Sequence, residues 1–409
     1  MTTKTELKKK SSINLISWMC IAEVFNMQGV FTFSSMLPFF FNQWDLNSVD
    51  AGWISGIYYG AYMLSVFIML SLTDLIDAKK IYILGTLMTI LGCLGFALFV
   101  EGFWTAIFFR IIGGIGLAGT YMPGLKALSD RLSGISRIRA TSFYTSSFGI
   151  GSALSFLFGG YFLELFPWET AFWIAGFCSI LSLIITWYVL EDLPKNFENR
   201  SLLSSLDLRK VFKNTKILGW IACYSTHNYE LFAFRSWIVA YLAFVLPISS
   251  EVDYIQPSII VFIGTILGMP SSVIGNELAM RFGRKRIIFS IMFISMILAF
   301  IVGSSSNIWP PILIILILIY GCFVTGESAS ITSGLIESAD NENRGITMAV
   351  YSSIGFIGSF LGPIGFGIVL DSFGGHNNTQ AWFWAFSSTG IILILGPLSY
   401  FLISYKKIS

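Results

Sequence analysis

The 409-residue chain has a formal net charge of only +2, and 55% of its residues are hydrophobic while 12% are charged. A soluble protein needs about 25% charged residues to keep its surface in contact with water. This composition therefore excludes an ordinary soluble domain and indicates a membrane protein, and its near-neutral charge gives no reason to expect a nucleic acid as a partner.

Long apolar runs follow one another along the chain. A helix needs about 20 mostly apolar residues to cross the hydrocarbon core, and twelve runs reach that length. The longest polar stretch, 191–216, divides them six and six. We therefore predict an all-α membrane protein with an N-terminal six-helix bundle over 1–190, a cytoplasmic linker over 191–216 and a C-terminal six-helix bundle over 217–409. The predicted spans are 14–41, 50–72, 81–100, 103–128, 140–163, 170–190, 217–246, 256–278, 287–304, 311–334, 345–370 and 381–404.

The basic residues predict the orientation of these spans. If the N-terminus lies inside and the spans alternate, every Lys and Arg falls in an inside segment except Arg110, Lys126 and Arg235, which fall within spans. Inside loops of membrane proteins carry such an excess of Lys and Arg. We predict a multi-pass protein of the plasma (inner) membrane with both termini in the cytoplasm.

Several kinds of site find no support in the sequence. The nearest approach to a phosphate-binding loop, 119–127, has an extra residue before Lys126 and no Ser or Thr after it, unlike the Walker A pattern. The five cysteines are far apart, and two histidines alone cannot build a metal site. We therefore predict no enzyme, no cofactor and no metal, and any pumping by this chain would have to draw its energy from an ion gradient or a partner.

The two halves of the chain show a weak internal repeat. At an offset of 206 residues, LSLTDLIDAKK (70–80) falls on NELAMRFGRKR (276–286), and SSFG (146–149) falls on SSIG (352–355). One offset at two distant places predicts duplicated halves, a feature of many transporter folds.

These loops resemble the loop motif of the major facilitator superfamily, G-x-L-A-D-R-x-G-R-K. The second copy has Met280 where the motif has Asp. A further string, RIIGGIGLAG (110–119), looks like the R-x-x-x-G-x-G motif of that family, with Arg110 in the place of the Arg. The motif positions that the loops keep are Leu72, Asp74 and Lys79 in the first copy and Leu278, Ala279, Arg281, Gly283, Arg284 and Lys285 in the second.

The resemblance implies two six-helix bundles that open a central site alternately to each side of the membrane. It also implies gating roles for Asp74, Arg281 and Arg284, because a loop carboxylate is favoured beside cations and helix N-termini. The alternative is that these loops only anchor the topology. Span five lacks the Gly-Pro motif of drug and proton antiporters of the family, and a Gly-Pro string falls in span eleven (358–367) instead.

Ionisable groups at membrane depth are costly unless paired or hydrated, so they are the candidate site. We predict that Arg110, Asn228, Arg235 and Asn26 bind substrate. Glu23, Glu230 and Glu327 are expected to couple transport to protons or another ion. The alternative for each is an ion pair or a polar cluster used only in helix packing, and Lys126 is assigned to that structural role.

The sequence thus predicts a secondary active transporter that moves a small polar metabolite, anionic or zwitterionic, by alternating access. The expected partners are the substrate, a coupling ion and the lipid bilayer, with the protein acting as a monomer and no nucleic acid bound. Two other classes stay open: a drug or amphiphile exporter of the same fold, and a non-transporting membrane sensor.

Overall fold

The computed structural model of the chain describes residues 2–193, 208–249, 256–340 and 344–405, and no strand occurs in these ranges. Of the predicted linker, residues 194–207 lie outside the described part. The helices are α1 Thr2–Asn26, α2 Thr32–Ser35, α3 Leu37–Gln43, α4 Ser48–Leu75, α5 Ala78–Phe99, α6 Phe103–Arg131, α7 Gly134–Leu165, α8 Glu169–Val189, α9 Leu208–Lys213, α10 Thr215–Ser249, α11 Pro257–Phe282, α12 Arg284–Ser304, α13 Pro310–Gly326, α14 Ser328–Ser338, α15 Arg344–Ser372 and α16 Thr379–Tyr405.

Helices long and apolar enough to cross a membrane make up most of the described chain. Eleven such segments occur there, each matching one predicted run, and α13 and α14 together supply the run 311–334. Helices suit this setting because all their backbone hydrogen bonds are made within the segment. The all-α membrane architecture predicted from the sequence is confirmed.

The remaining predicted run, 14–41, is broken. α1 ends at Asn26, a 3₁₀ turn covers Met27–Gly29, and α2 and α3 carry the chain on to Gln43. A second interruption, at Glu327, separates α13 from α14. Helix ends expose backbone groups that need new partners, so both breaks are places where side chains are drawn into specific contacts.

Contacts divide the chain into two compact units. Unit 1 comprises Met1–Phe33 and Ala61–Arg200, and unit 2 comprises Ser34–Gly60 and Ser201–Ser409. The first part of α4 therefore packs within unit 2. These units are defined by contacts, and the division into six-helix bundles ending at 190 and starting at 217 stays a prediction.

Small residues let helices approach closely in both units. In unit 1, α5 and α6 meet at Gly85 and Gly119, where a Cβ on Gly85 would lie 2.5 Å from the Gly119 carbonyl carbon. In unit 2, Gly362 of α15 packs on the backbone of Tyr229 in α10. Lipid supplies no hydrophobic force between helices, so such close van der Waals packing carries much of their association.

Candidate functional site

Arg110 of α6 closes the break in span one, within unit 1. Its Nη1 donates to the carbonyl oxygens of Gly29 and Val30, at 3.3 and 3.1 Å. Ser155 of α7 serves the same break, since its hydroxyl donates to the Gln28 carbonyl at 2.6 Å and accepts from the Phe31 N–H at 3.0 Å. Arg110 is buried, and its positive charge is thus held at backbone carbonyls left over by the end of a helix.

Glu23 and Asn26 of α1 lie one turn apart beside that break. The Tyr144 hydroxyl donates to Glu23 Oε2 at 2.8 Å, and the side-chain amide of Asn26 donates to the Tyr82 hydroxyl and the Thr86 hydroxyl, both at 3.1 Å. Glu23 is 0% exposed, and its second oxygen accepts no hydrogen bond from any residue that the structure describes. Unit 1 thus holds a buried acid with a tyrosine as its donor.

Unit 2 holds a larger cluster, at the break between α13 and α14. Glu327 stands at that break, and its Oε1 lies 2.9 Å from Nδ1 of His227. One turn further along α10, Glu230 Oε1 accepts from the hydroxyls of Tyr320 and Ser295, both at 2.9 Å. His227, Glu230 and Glu327 are all 0% exposed.

The two other predicted binding residues of unit 2, Asn228 and Arg235, also lie on α10. Asn228 is buried. The Arg235 guanidinium lies 6.0 Å from the centre of the Phe232 ring and interacts with Tyr59 of α4. A cation within this distance of an aromatic face is attracted by the ring quadrupole. The structure therefore gathers Glu230, Glu327 and His227 into one cluster and holds Arg235 against an aromatic wall on the same helix.

An ion pair and several hydrogen bonds of Asp77 anchor the loop before α5. Asp77 caps α5 by accepting from the Lys79 N–H at 3.1 Å, and it also accepts from the Leu193 N–H at 2.9 Å and from Arg131 Nη2 at 2.9 Å. Arg131 in turn donates from Nε to the Glu191 carbonyl at 3.0 Å. Burial alone would raise the pKa of Asp77, but the two backbone N–H groups and the Arg131 guanidinium hold that pKa below its ordinary value.

Unit 2 has a comparable contact at the start of α12. Arg284 donates from Nη2 and Nε to Glu337 at 2.6 and 3.1 Å, and from Nη1 to Asn276 at 3.0 Å. Of the three predicted gating residues, Arg284 thus forms an ion pair, with Glu337. Asp74 and Arg281 are exposed and form no hydrogen bond or ion pair with the residues that the structure describes. A gating role for the three stays a prediction.

Several of these contact residues are absent from the sequence prediction. Asp77 had a signal, because an Asp directly before an apolar helical run is a typical N-cap. His227 stood in the polar string 226–235 but was not given a role. Tyr144 and Tyr320 had no signal, since aromatic residues make up 16% of the chain and one donor cannot be told from the others by type alone.

Comparisons with known proteins agree with this architecture. Residues 19–276 and 231–409 match the sequence profile of the Major Facilitator Superfamily. A relative from Escherichia coli O45:K1, called the uncharacterized MFS-type transporter YcaD, is 25% identical over 181 residues, which are 43% of this chain and 46% of the relative. The Salmonella arizonae protein of the same name is 26% identical over the same length. The matched part therefore spans about half the length of these curated relatives.

Solved structures share the fold over nearly the whole chain. A bacterial homologue of the human lysosomal transporter Spinster, inward-facing and unoccupied, aligns with a TM-score of 0.79 at 14% identity and covers 97% of each chain. The nucleoside transporter NupG, as a mutant, aligns with a TM-score of 0.72 at 18% identity, covering 95% of this chain and 99% of that one. The predicted fold is confirmed, and the chain, a multi-pass membrane protein, belongs to the major facilitator superfamily of transporters.

Proposed function

We propose that this protein is a proton-coupled secondary transporter of a small polar metabolite that carries an acidic group, either anionic or zwitterionic. It would act as a monomer in the plasma (inner) membrane, with both termini in the cytoplasm. Its two six-helix bundles, 1–190 and 217–409, would be joined by a cytoplasmic linker and would open the site alternately to each side.

The observation that carries the proposal is the pair of buried acid clusters. Glu23 is held by Tyr144 in unit 1, and Glu230 and Glu327 are held by Tyr320 and His227 in unit 2, all without exposure to solvent. A carboxylate at membrane depth costs several kcal/mol unless it is paired or hydrated. A proton that binds or leaves such a group changes which arrangement of the helices costs least, and this is the link that coupling requires.

The buried cations support an acidic group on the substrate. Arg235 is partly buried and lies over the Phe232 ring. The Arg110 guanidinium lies at the break in span one, where it donates to the Val30 carbonyl. Arg recognises carboxylate and phosphate groups through paired N–H donors. Asn228 and Asn26 would add neutral hydrogen bonds. The fold likeness to a nucleoside transporter supports a small polar metabolite as the class of cargo.

Flux into proteoliposomes tests the coupling. Purified protein is first screened by thermal shift against a library of small acidic metabolites, and the best ligand is then used in uptake assays with and without a pH gradient. We expect the gradient to drive accumulation in the wild type, and Glu327→Gln to abolish this driven uptake while ligand exchange across the membrane at equal pH persists. Gln keeps the size of the side chain but cannot bind and release a proton.

Glu164→Gln is the matched control, because Glu164 is an exposed glutamate of α7. Driven uptake that survives in Glu23→Gln, Glu230→Gln and Glu327→Gln would remove these acids from coupling. Hydrophobic cations can also be tested for uptake into inverted vesicles. If they are taken up, and if Arg110→Ala and Arg235→Ala leave this uptake unchanged, the protein is a drug exporter instead. Ligand binding without any flux would indicate a sensor.

A further inference from the structure

We propose that α1 and α7 of unit 1 form a binding site for a single-chain amphiphile with an anionic headgroup, and that Arg139 binds this headgroup. The site lies outside the residues proposed to bind the polar metabolite. It would be occupied whether or not that metabolite is present.

A cavity of about 860 Å³ carries the inference. Ligand-binding cavities in proteins have volumes of about 300 to 1,000 Å³ and mostly apolar walls. This cavity is lined only by residues of α1 and α7, and its walls are largely Ile, Val and Phe side chains such as Ile13, Phe25, Phe143 and Ile150. A small polar solute would leave these walls without a partner.

The cavity is elongated along the two helices. Gly151 packs on Val24, and Ser155 donates to the Gln28 carbonyl, so α1 and α7 run side by side in the same direction. Ile13 and Arg139 therefore lie towards one end of the cavity, and Phe25 and Ile150 towards the other. At 1.5 Å per residue, these lining segments extend for about 17 Å, a shape that suits a single hydrocarbon chain.

Arg139 gives the cavity one charged end. It is the charged residue of the lining, it is exposed, and it makes no hydrogen bond or ion pair with any residue that the structure describes. A guanidinium binds carboxylate and phosphate oxygens through paired N–H groups. An open apolar groove that ends at an exposed cation lacking a protein partner fits an anionic headgroup with an apolar tail, and it disfavours a cationic amphiphile.

Cys20 lines the cavity and is partly buried, so it provides a native reporter. The full-length protein, with Cys93, Cys178, Cys223 and Cys322 replaced by Ala, is placed in nanodiscs of zwitterionic phosphatidylcholine. The rate at which a membrane-permeant maleimide alkylates Cys20 is then followed by intact mass. We expect dodecyl phosphate to slow this reaction several-fold, and dodecyltrimethylammonium and inorganic phosphate to leave it unchanged.

The Arg139→Gln variant tests the headgroup contact. Loss of a charge-assisted hydrogen bond should raise the Kd of dodecyl phosphate about tenfold. Arg137→Gln is the matched control, because Arg137 is exposed on the same helix, as Arg139 is, but lies about 200° around it from Arg139 and does not line the cavity. The Kd of the control should stay within twofold of that of the parent.

Ser146→Trp fills the cavity and tests the site independently of charge. We expect it to abolish protection of Cys20, with thermal unfolding confirming that the variant folds. Equal protection by the cationic amphiphile, or equal losses in Arg137→Gln and Arg139→Gln, would overturn the proposal. The readout needs no flux, so Arg235→Ala, which should impair binding of the polar metabolite, should leave protection by dodecyl phosphate intact.

Discussion

Arg131 and Glu337 stand 206 residues apart, the same offset that aligns the two loop motifs, and they carry opposite charges in otherwise corresponding contacts. Arg131, at the end of α6, binds Asp77 before α5, whereas Glu337, near the end of α14, binds Arg284 at the start of α12. In each half of the chain an ion pair thus ties the start of one helix to the end of a later helix, and the polarity of that pair is reversed between the halves. The charge at the corresponding positions 131 and 337 can therefore have either sign, as long as the partner within the same pair carries the opposite charge.

The two ion pairs should differ in strength because they differ in burial. The side chains of Asp77 and Arg131 are 4% and 6% exposed, whereas that of Glu337 is 64% exposed. Breaking a buried pair leaves an uncompensated charge, so Asp77→Asn should lower the free energy of unfolding by about 3 kcal/mol. Glu337→Gln should cost less than about 1 kcal/mol, as exposed pairs do. Chemical denaturation in detergent compares the two variants, and equal losses would contradict the role of burial.

The depressed pKa of Asp77 predicts a pH dependence of stability. A carboxyl whose folded pKa lies below its unfolded value of about 3.9 adds stability above that value, and this contribution is lost as the pH falls through the folded pKa. The difference in unfolding temperature between wild type and Asp77→Asn should therefore be constant from pH 7 to about pH 5 and shrink below about pH 4. The exposed Asp74 serves as control, because Asp74→Asn removes a carboxylate from the same loop motif without removing a hydrogen bond or ion pair to the residues that the structure describes. A difference that grew on acidification would rule out the bonded carboxylate described for Asp77.

The hydroxyl of Tyr144 should stabilise unit 1 through its bond to Glu23. Tyr144→Phe leaves the ring in place but removes the donor to a buried carboxyl oxygen of Glu23, and to the Thr120 carbonyl oxygen at 3.1 Å. Loss of such a hydrogen bond costs about 1.5 kcal/mol, which should appear as a lower unfolding temperature. Tyr161→Phe is the matched control, since Tyr161 lies on the same helix and is exposed. A Tyr144→Phe variant as stable as this control would mean that the bond contributes nothing measurable.

Arg110 and Arg235 should respond differently to substitution. Arg110 donates to two carbonyls at the break in span one, so Arg110→Lys, which keeps the charge but loses the planar fork, should lower stability while the substrate still raises the unfolding temperature. Arg235→Ala should abolish the thermal shift caused by the substrate. Both variants are measured by thermal unfolding with and without the ligand found in the screen. A substrate shift that is unchanged in Arg235→Ala would remove Arg235 from the binding site.

Local patterns predicted much of the fold but not the pairing of its polar groups. The apolar runs matched eleven helical segments because the length of a spanning helix is imposed by the bilayer. The run 14–41 was predicted as one span, and the structure breaks it at Asn26, where Arg110 and Ser155 provide the missing backbone partners. Those partners lie 80 or more residues away along the chain, and no local propensity encodes them.

The sequence alone established that this is a membrane protein built of helices. It also showed the resemblance to the major facilitator superfamily and placed a few ionisable residues at membrane depth. All of these follow from solvation and from short motifs, which act along the chain. Only the tertiary structure decided that His227 pairs with Glu327, that Tyr144 and Tyr320 hold Glu23 and Glu230, and that Asp77 rather than Asp74 is the bonded carboxylate of its loop. Such pairs depend on which faces two distant helices turn towards each other, and this is set by close packing at small residues and helix breaks rather than by residue type.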